Sequence, residues 1–170
     1  IRRHPYCSFP KETNNTDAFV RLFRGVVKTG LAPTSFYEVP RGYQALKVNV
    51  AAAFLAELAL RTRDGQSRFH LLPPSCPTLD QMVNWACAKY SIERLPYSKF
   101  LQRFGTALRE LDSDQRELSM LPLLSYWKQP IKRSTTEVGQ AGFQAKAVEY
   151  GLNPTAIKQA EFLEILSNLG

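Results

Sequence analysis

Apolar residues recur at intervals of three and four early in the chain. Phe19, Val20, Leu22, Phe23, Val26 and Val27 share one side of a helix, and Arg21, Arg24 and Lys28 fall on the other. Asn15 or Thr16 is placed to cap its start, Gly30 to end it, and Pro33 follows. Ala45 to Val48 is a short strand candidate, after which Asn49 caps a second helix running to about Arg63. Asp64 and Gly65 make a turn, and Ser67 to Leu72 alternates as a strand does, with His70 inside it as a core or sheet histidine. Pro73, Pro74 and Pro77 bracket a loop, and Thr78 caps a helix with Leu79, Met82, Val83 and Ala86 on one side. Ile92 to Leu95 is a third strand candidate. Pro96 then precedes a helix from about Tyr97 to Leu111, in which Phe100, Leu101, Phe104 and Leu108 point inward.

Past residue 115 no strand signal remains. Leu118 to Trp127 is strongly apolar, Ser134 opens a helix that closes at Gly151, and Asn153 and Pro154 supply the cap and first position of a last helix through Leu169. At the other end, Ile1 to Tyr6 reads as a strand running into a loop, since Pro5 and Pro10 prevent a helix. The pattern predicts an α/β arrangement over 1–115 and a helical tail over 116–170. Its strands are too few for a complete doubly wound sheet, and its glycines are scattered singly instead of forming a phosphate cradle.

Composition narrows this only slightly. With 170 residues, 44% hydrophobic and 22% charged, the chain is sized for one soluble domain with a core. Its most apolar stretch, Val48 to Leu60, is broken by Asn49 and Glu57 and falls short of the roughly 18 apolar residues of a membrane span. No secretory leader is visible, and the chain starts at Ile1, so a cytoplasmic fragment or excised domain is expected. Cys7, Cys76 and Cys87 lack a short paired spacing and read as free thiols, while His4 and His70 are too far apart in sequence to suggest zinc. The net charge of +7 is spread along the chain, with only short pairs such as Lys132 and Arg133. Without a nucleic-acid-binding motif, it points to an acidic protein partner or phosphate, not to nucleic acid.

Tyr43 and Lys47 have the tyrosine–x–x–x–lysine spacing of a reductase's proton-donating pair. On a helix they would share a face, and the ammonium would lower the phenol pKa. Gly42 and the strand candidate that follows argue against a helix, so we read the spacing as coincidence.

Three longer stretches carry more information: Gln66–Pro74 (QSRFHLLPP), Pro77–Val83 (PTLDQMV) and Ile92–Phe100 (IERLPYSKF). In order and spacing they resemble the terminal thioester reductase domains of nonribosomal peptide and polyketide synthases. Those domains belong to the extended short-chain dehydrogenase/reductase superfamily, beside carboxylic acid and aminoadipate reductases. Asn15–Pro33 resembles a family helix, and Leu46–Ala53 a strand followed by a capped helix, with Asn49 where aspartate is usual and Lys47 where proline is common. Leu121–Leu124 and the closing helices resemble the family's ending.

The resemblance implies the substrate-binding, carboxyl-terminal part of such a domain: a few short strands, a mostly helical subdomain, and no Rossmann cofactor half. The family's glycine loop, catalytic serine or threonine, and tyrosine–lysine pair all precede the strand that Ile1–Pro5 resembles, so no catalytic residue carries over. It implies NADPH held mainly by that other half, and a substrate thioester carried on phosphopantetheine. It also implies an acyl or peptidyl carrier protein and upstream synthase modules as partners, and release as aldehyde or, after a second reduction, alcohol. His4, Pro5 and Tyr6 resemble the step beside the nicotinamide, where either cofactor packing or an ordinary sheet edge suits them. The loop from Cys7 would border the substrate entrance, with Asn14 and Asn15 as amide-binding donors. Trp85, Phe100, Phe104, Tyr126 and Trp127 are core by spacing, a minority being available to line an acyl pocket. Arg21, Arg24 and Lys28 are either a solvated face or a greeting surface for the carrier protein. Two other functions stay open: a redox-inactive relative that cyclises or only binds the tethered chain, and a basic interaction module.

Overall fold

A computed structural model of the chain describes residues 17–61, 68–132, 139 and 141–169. The first helix, α1 (Ala18–Thr29), is capped by Asp17 in place of the expected Asn15 or Thr16. The Asp17 carboxylate accepts from the N–H groups of Phe19 at 2.9 Å and Val20 at 3.3 Å. Gly30 ends α1 with φ 65°, a left-handed turn that glycine takes without a Cβ clash. The chain leaves that turn directly into a strand the periodicity did not predict, β1 (Leu31–Pro33).

After an irregular stretch comes α2 (Val48–Arg61), which begins at Val48, so Asn49 lies inside the helix instead of capping it. Next is α3 (Leu79–Ala86), where Thr78 and Gln81 form the reciprocal capping box. Then follow β2 (Glu93–Leu95) and α4 (Tyr97–Glu110), entered from Pro96 as expected. Asp112 caps α5 (Ser113–Leu118), and a 3-10 helix covers Leu121–Trp127. The last two helices are α6 (Ala141–Glu149) and α7 (Gln159–Ser167). Asn153 and Pro154 do not start α7: it opens five residues later, from Lys158, and Pro154 is buried ahead of it. Ser134, expected to open α6, lies outside the described residues.

β1 and β2 pair in parallel, Leu31 opposite Glu93 and Pro33 opposite Leu95. Among the described residues this is the whole sheet. The expected strands at Ala45–Val48 and Ser67–Leu72 are therefore corrected. A strand exists only through a ladder, and neither segment finds a neighbouring strand among the described residues. Leu72 instead donates back to the carbonyl of His70 at 2.9 Å, a tight turn, and His70 is exposed instead of held in a sheet.

One core gathers α1, α3, α4 and α7. Phe23 packs edge-on against Phe162 with ring centroids 4.8 Å apart, and Phe100 stacks on Phe104 at 4.7 Å. α1 and α4 approach closely because Gly25 faces Phe104, whose ring would stand 2.8 Å from a Cβ there. A second, smaller core joins Phe54 of α2 to Phe69, Phe143, Ala147 and Tyr150. Of the aromatics read as core, Phe100 and Phe104 are buried, and Trp85 and Trp127 are half-buried. Tyr126 is 83% exposed.

α2 is apolar around most of its circumference, yet only Phe54 is buried. Val48, Ala52, Leu55, Ala56, Ala59 and Leu60 form an exposed apolar stripe. A helix of that composition ordinarily lies inside a fold. Among the described residues no helix is long and apolar enough to cross a membrane.

Candidate functional site

An open cleft of about 640 Å³ lies between the loop from Tyr37 to Gln44, the run Pro73–Cys76, and Ile131. Each wall is fixed by named contacts. Asp80, in the first turn of α3, accepts from the Ser35 hydroxyl at 2.7 Å and the Phe36 N–H at 2.8 Å, and the Ser35 hydroxyl in turn accepts from the Tyr37 N–H at 3.0 Å. Ile131 donates to the Phe36 carbonyl at 2.8 Å, and Glu38 donates to the Ile131 carbonyl at 3.1 Å. The loop is thereby held at both sides of Tyr37.

Gly42 brings the other wall in. A Cβ at Gly42 would sit 2.7 Å from the Cys76 carbonyl oxygen, so the two backbones meet only because position 42 has no side chain. The Tyr43 N–H donates to the Pro77 carbonyl at 2.8 Å and secures that approach.

Burial sets the titration of the groups along the cleft. Burial raises the Tyr37 phenol above its usual range, against the smaller lowering effects of the Leu79 N–H it accepts at 3.0 Å and of Arg41. Burial, and then the Asp17 charge, raise Tyr43 as well. Burial also raises the Cys76 thiol, which stays protonated near neutral pH and is no nucleophile there. The walls thus offer hydroxyl donors, ring faces, pyrrolidine surfaces and one guanidinium, Arg41.

The tyrosine–lysine spacing does not fall on a helix. Residues 41–47 are not helical, the Tyr43 ring stacks on Phe19 at 5.2 Å, and Lys47 pairs with Glu161 at 2.6 Å. Tyr43 is raised in pKa, the reverse of what a lysine-assisted donor requires.

Arg21 and Arg24 are not a solvated face. Arg24 is buried and donates to the Leu118 carbonyl at 3.2 Å, while Arg21 donates to the carbonyls of Glu117 and Ser119. Both guanidiniums finish the carboxyl end of α5, where helix carbonyls lack partners. Lys28 stands exposed at the end of α1.

His4, Pro5, Tyr6, Cys7, Asn14 and Asn15, the residues expected at cofactor and substrate, all lie outside the described residues. What sequence reasoning missed is the cleft itself, although a signal was present. Tyr37 and Tyr43 flank Pro40, Arg41 and Gly42 in one loop, and Pro73 and Pro74 open the other; such loops carry function more often than the elements they join.

No family model matches the chain. A carboxylic acid reductase of Mycobacterium marinum is 35% identical over 130 residues, which cover 70% of this chain and 11% of that protein. A carboxylic acid reductase of Mycobacterium tuberculosis is 31% identical over 186 aligned residues, covering 96% of this chain and 16% of the relative. The crystal structure of the reductase (R) domain of a nonribosomal peptide synthetase from Mycobacterium tuberculosis matches with a TM-score of 0.82 and 27% identity, over 95% of this chain and 42% of that one. The chain thus spans a small part of the curated relatives and less than half of the solved domain. Over most of its length the chain is thus similar in sequence to carboxylic acid reductases and in fold to part of a reductase (R) domain of the extended short-chain dehydrogenase/reductase superfamily. The Rossmann cofactor half is not within these 170 residues, and the described residues do not by themselves fit a dinucleotide: their single parallel strand pair is followed by no glycine-rich phosphate turn.

Proposed function

We propose that this chain is the substrate-binding part of an NADPH-dependent thioester reductase, one that releases a carrier-protein-bound acyl or peptidyl chain as aldehyde or alcohol. The observation that supports it most is the agreement in fold over 95% of the chain with a nonribosomal peptide synthetase reductase domain. The cleft is compatible with that role. Its volume falls within the roughly 300–1,000 Å³ of small-molecule sites, and its walls mix rings and prolines with polar groups such as Arg41, Gln44 and Ser75.

In this reading NADPH, held mainly by a cofactor half outside these residues, would supply the hydride, and His4, Pro5 and Tyr6 would be this chain's own contribution to holding it. Cys7, Asn14 and Asn15 border the entrance for the phosphopantetheine arm, and the described cleft receives part of that arm. The carrier protein and upstream synthase modules are its partners, and the setting is cytoplasmic.

The test is to express this segment together with the cofactor half of its own protein and supply NADPH and an acyl-phosphopantetheine thioester. Aldehyde or alcohol formed with matching NADPH loss supports the reading. Intact or cyclised chain with no NADPH consumed moves the function to a non-redox relative of the same fold.

A further inference from the structure

Among the described residues that line the cleft, Arg41 carries the guanidinium. Arg61, Arg94, Arg103 and Arg109 each reach an oxygen of the chain. Arg41 is exposed, lines the cleft, and has no hydrogen bond or ion pair to a described residue. Three carboxylates bear on this loop, one of them Asp17, which caps α1 and acts on Tyr43. Asp80 is spent on Ser35 and Phe36, and Glu38 is exposed without an ion pair to Arg41. Lys132, exposed and next to Ile131, adds to the positive side of the balance.

Tyr37 is 6% exposed and lines the cleft. Its oxygen accepts from the Leu79 N–H at 3.0 Å, so its own proton is not used in that bond. A guanidinium in a cleft, with no partner among the described residues, recognises oxygen acceptors and favours charged ones. The remaining walls, Tyr43, Pro73, Pro74 and Ile131, suit an uncharged chain.

We propose that Arg41 receives an oxyanion of the bound substrate arm, the phosphopantetheine phosphate or a carboxylate on the acyl chain, while the rings and prolines hold the uncharged part. The proposal rests on the thioester reductase reading and names the feature of the substrate that this cleft selects. Arg41 is then a specificity-determining residue that binds substrate without taking part in bond changes.

The experiment measures equilibrium binding, without NADPH, to the complete protein that contains this segment. Three probes separate the sources of charge: octanoyl-pantetheine (neutral), octanoyl-phosphopantetheine, and 7-carboxyheptanoyl-pantetheine. The wild type is expected to bind at least one charged probe about tenfold more tightly than the neutral one, the scale of one charge-assisted contact at a partly solvated site. Arg41→Gln abolishes that preference, weakening the charged probe about tenfold more than the neutral one, and Arg41→Lys restores part of it. Preference for the phosphate probe alone identifies the arm, and preference for the carboxylate probe alone identifies the acyl chain. The proposal is overturned if no charged probe is preferred, if Arg41→Gln weakens all three probes equally, or if none binds. Separate turnover with NADPH tells the two readings apart. Charge-selective binding without reduction sinks only the reductase, and reduction without charge selectivity sinks only the role of Arg41.

Discussion

Gly42 shows how one position can decide whether a cleft exists. Its Cα meets the Cys76 backbone so closely that a methyl group would stand 2.7 Å from a carbonyl oxygen. The neighbour is backbone and cannot swing away. Gly42→Ala is expected to destabilise the chain by about 1–3 kcal/mol, the usual cost of forcing extra volume into a packed contact, read as a lower urea midpoint at unchanged m. An unchanged midpoint would mean that the two walls are not held together here. At this scale the sequence is only partly legible. Gly30 and Thr78 announce their roles because caps and left-handed turns are local chemistry. The role of Gly42 depends on Cys76, 34 residues away, and no local pattern encodes that meeting. Arg21 and Arg24 misled for the same reason, since the carbonyls they cap belong to α5.

Helices were more readable than strands. α1, α3 and α4 follow from periodicity and punctuation, because a helix satisfies its own backbone. A strand depends on a neighbour, which is why β1 went unseen and why Ala45–Val48 and Ser67–Leu72 show no ladder despite strand-like composition. The exposed apolar stripe of α2 belongs to the same account. It immediately follows one of those segments, as the helix of a strand–helix unit does, and such a helix covers a sheet. If the proposed cofactor half covers this stripe, Leu55→Glu is expected to lower the Tm of the complete protein, because the substitution would bury a charge. In these 170 residues alone, where Leu55 is 52% exposed, the same change should leave the Tm nearly unmoved. Equal effects in both would show that the stripe is never covered.

A second element-scale prediction concerns α7. Glu161 accepts from Lys47 at 2.6 Å and from the Lys158 N–H at 2.9 Å, and the Lys47 bond, then the Lys158 bond, lower its pKa. A carboxyl whose folded pKa is depressed stabilises the fold above its unfolded pKa and loses that contribution as pH falls through the folded value. Wild type should exceed Glu161→Gln in Tm at neutral pH by a small margin, as both partners are partly exposed, and the margin should close on acidification below the ordinary carboxylate range. A margin that persists in acid would assign the effect to packing.

For the molecule as a whole, the α/β class and the helical second half were legible, because they rest on the order of patterned segments. The cleft was not, since its walls come from loops far apart in the chain. In the proposed reading the described residues hold and select a substrate, and a part of the domain outside them supplies the hydride donor. The measurement that tests this most directly is isotopic. The complete protein is given its carrier-bound thioester and NADPH carrying deuterium at the transferable position, and the released product is analysed by mass spectrometry. Deuterium at the former thioester carbon, one atom in an aldehyde or two in an alcohol, is the predicted result. An unlabelled or cyclised product would contradict the account.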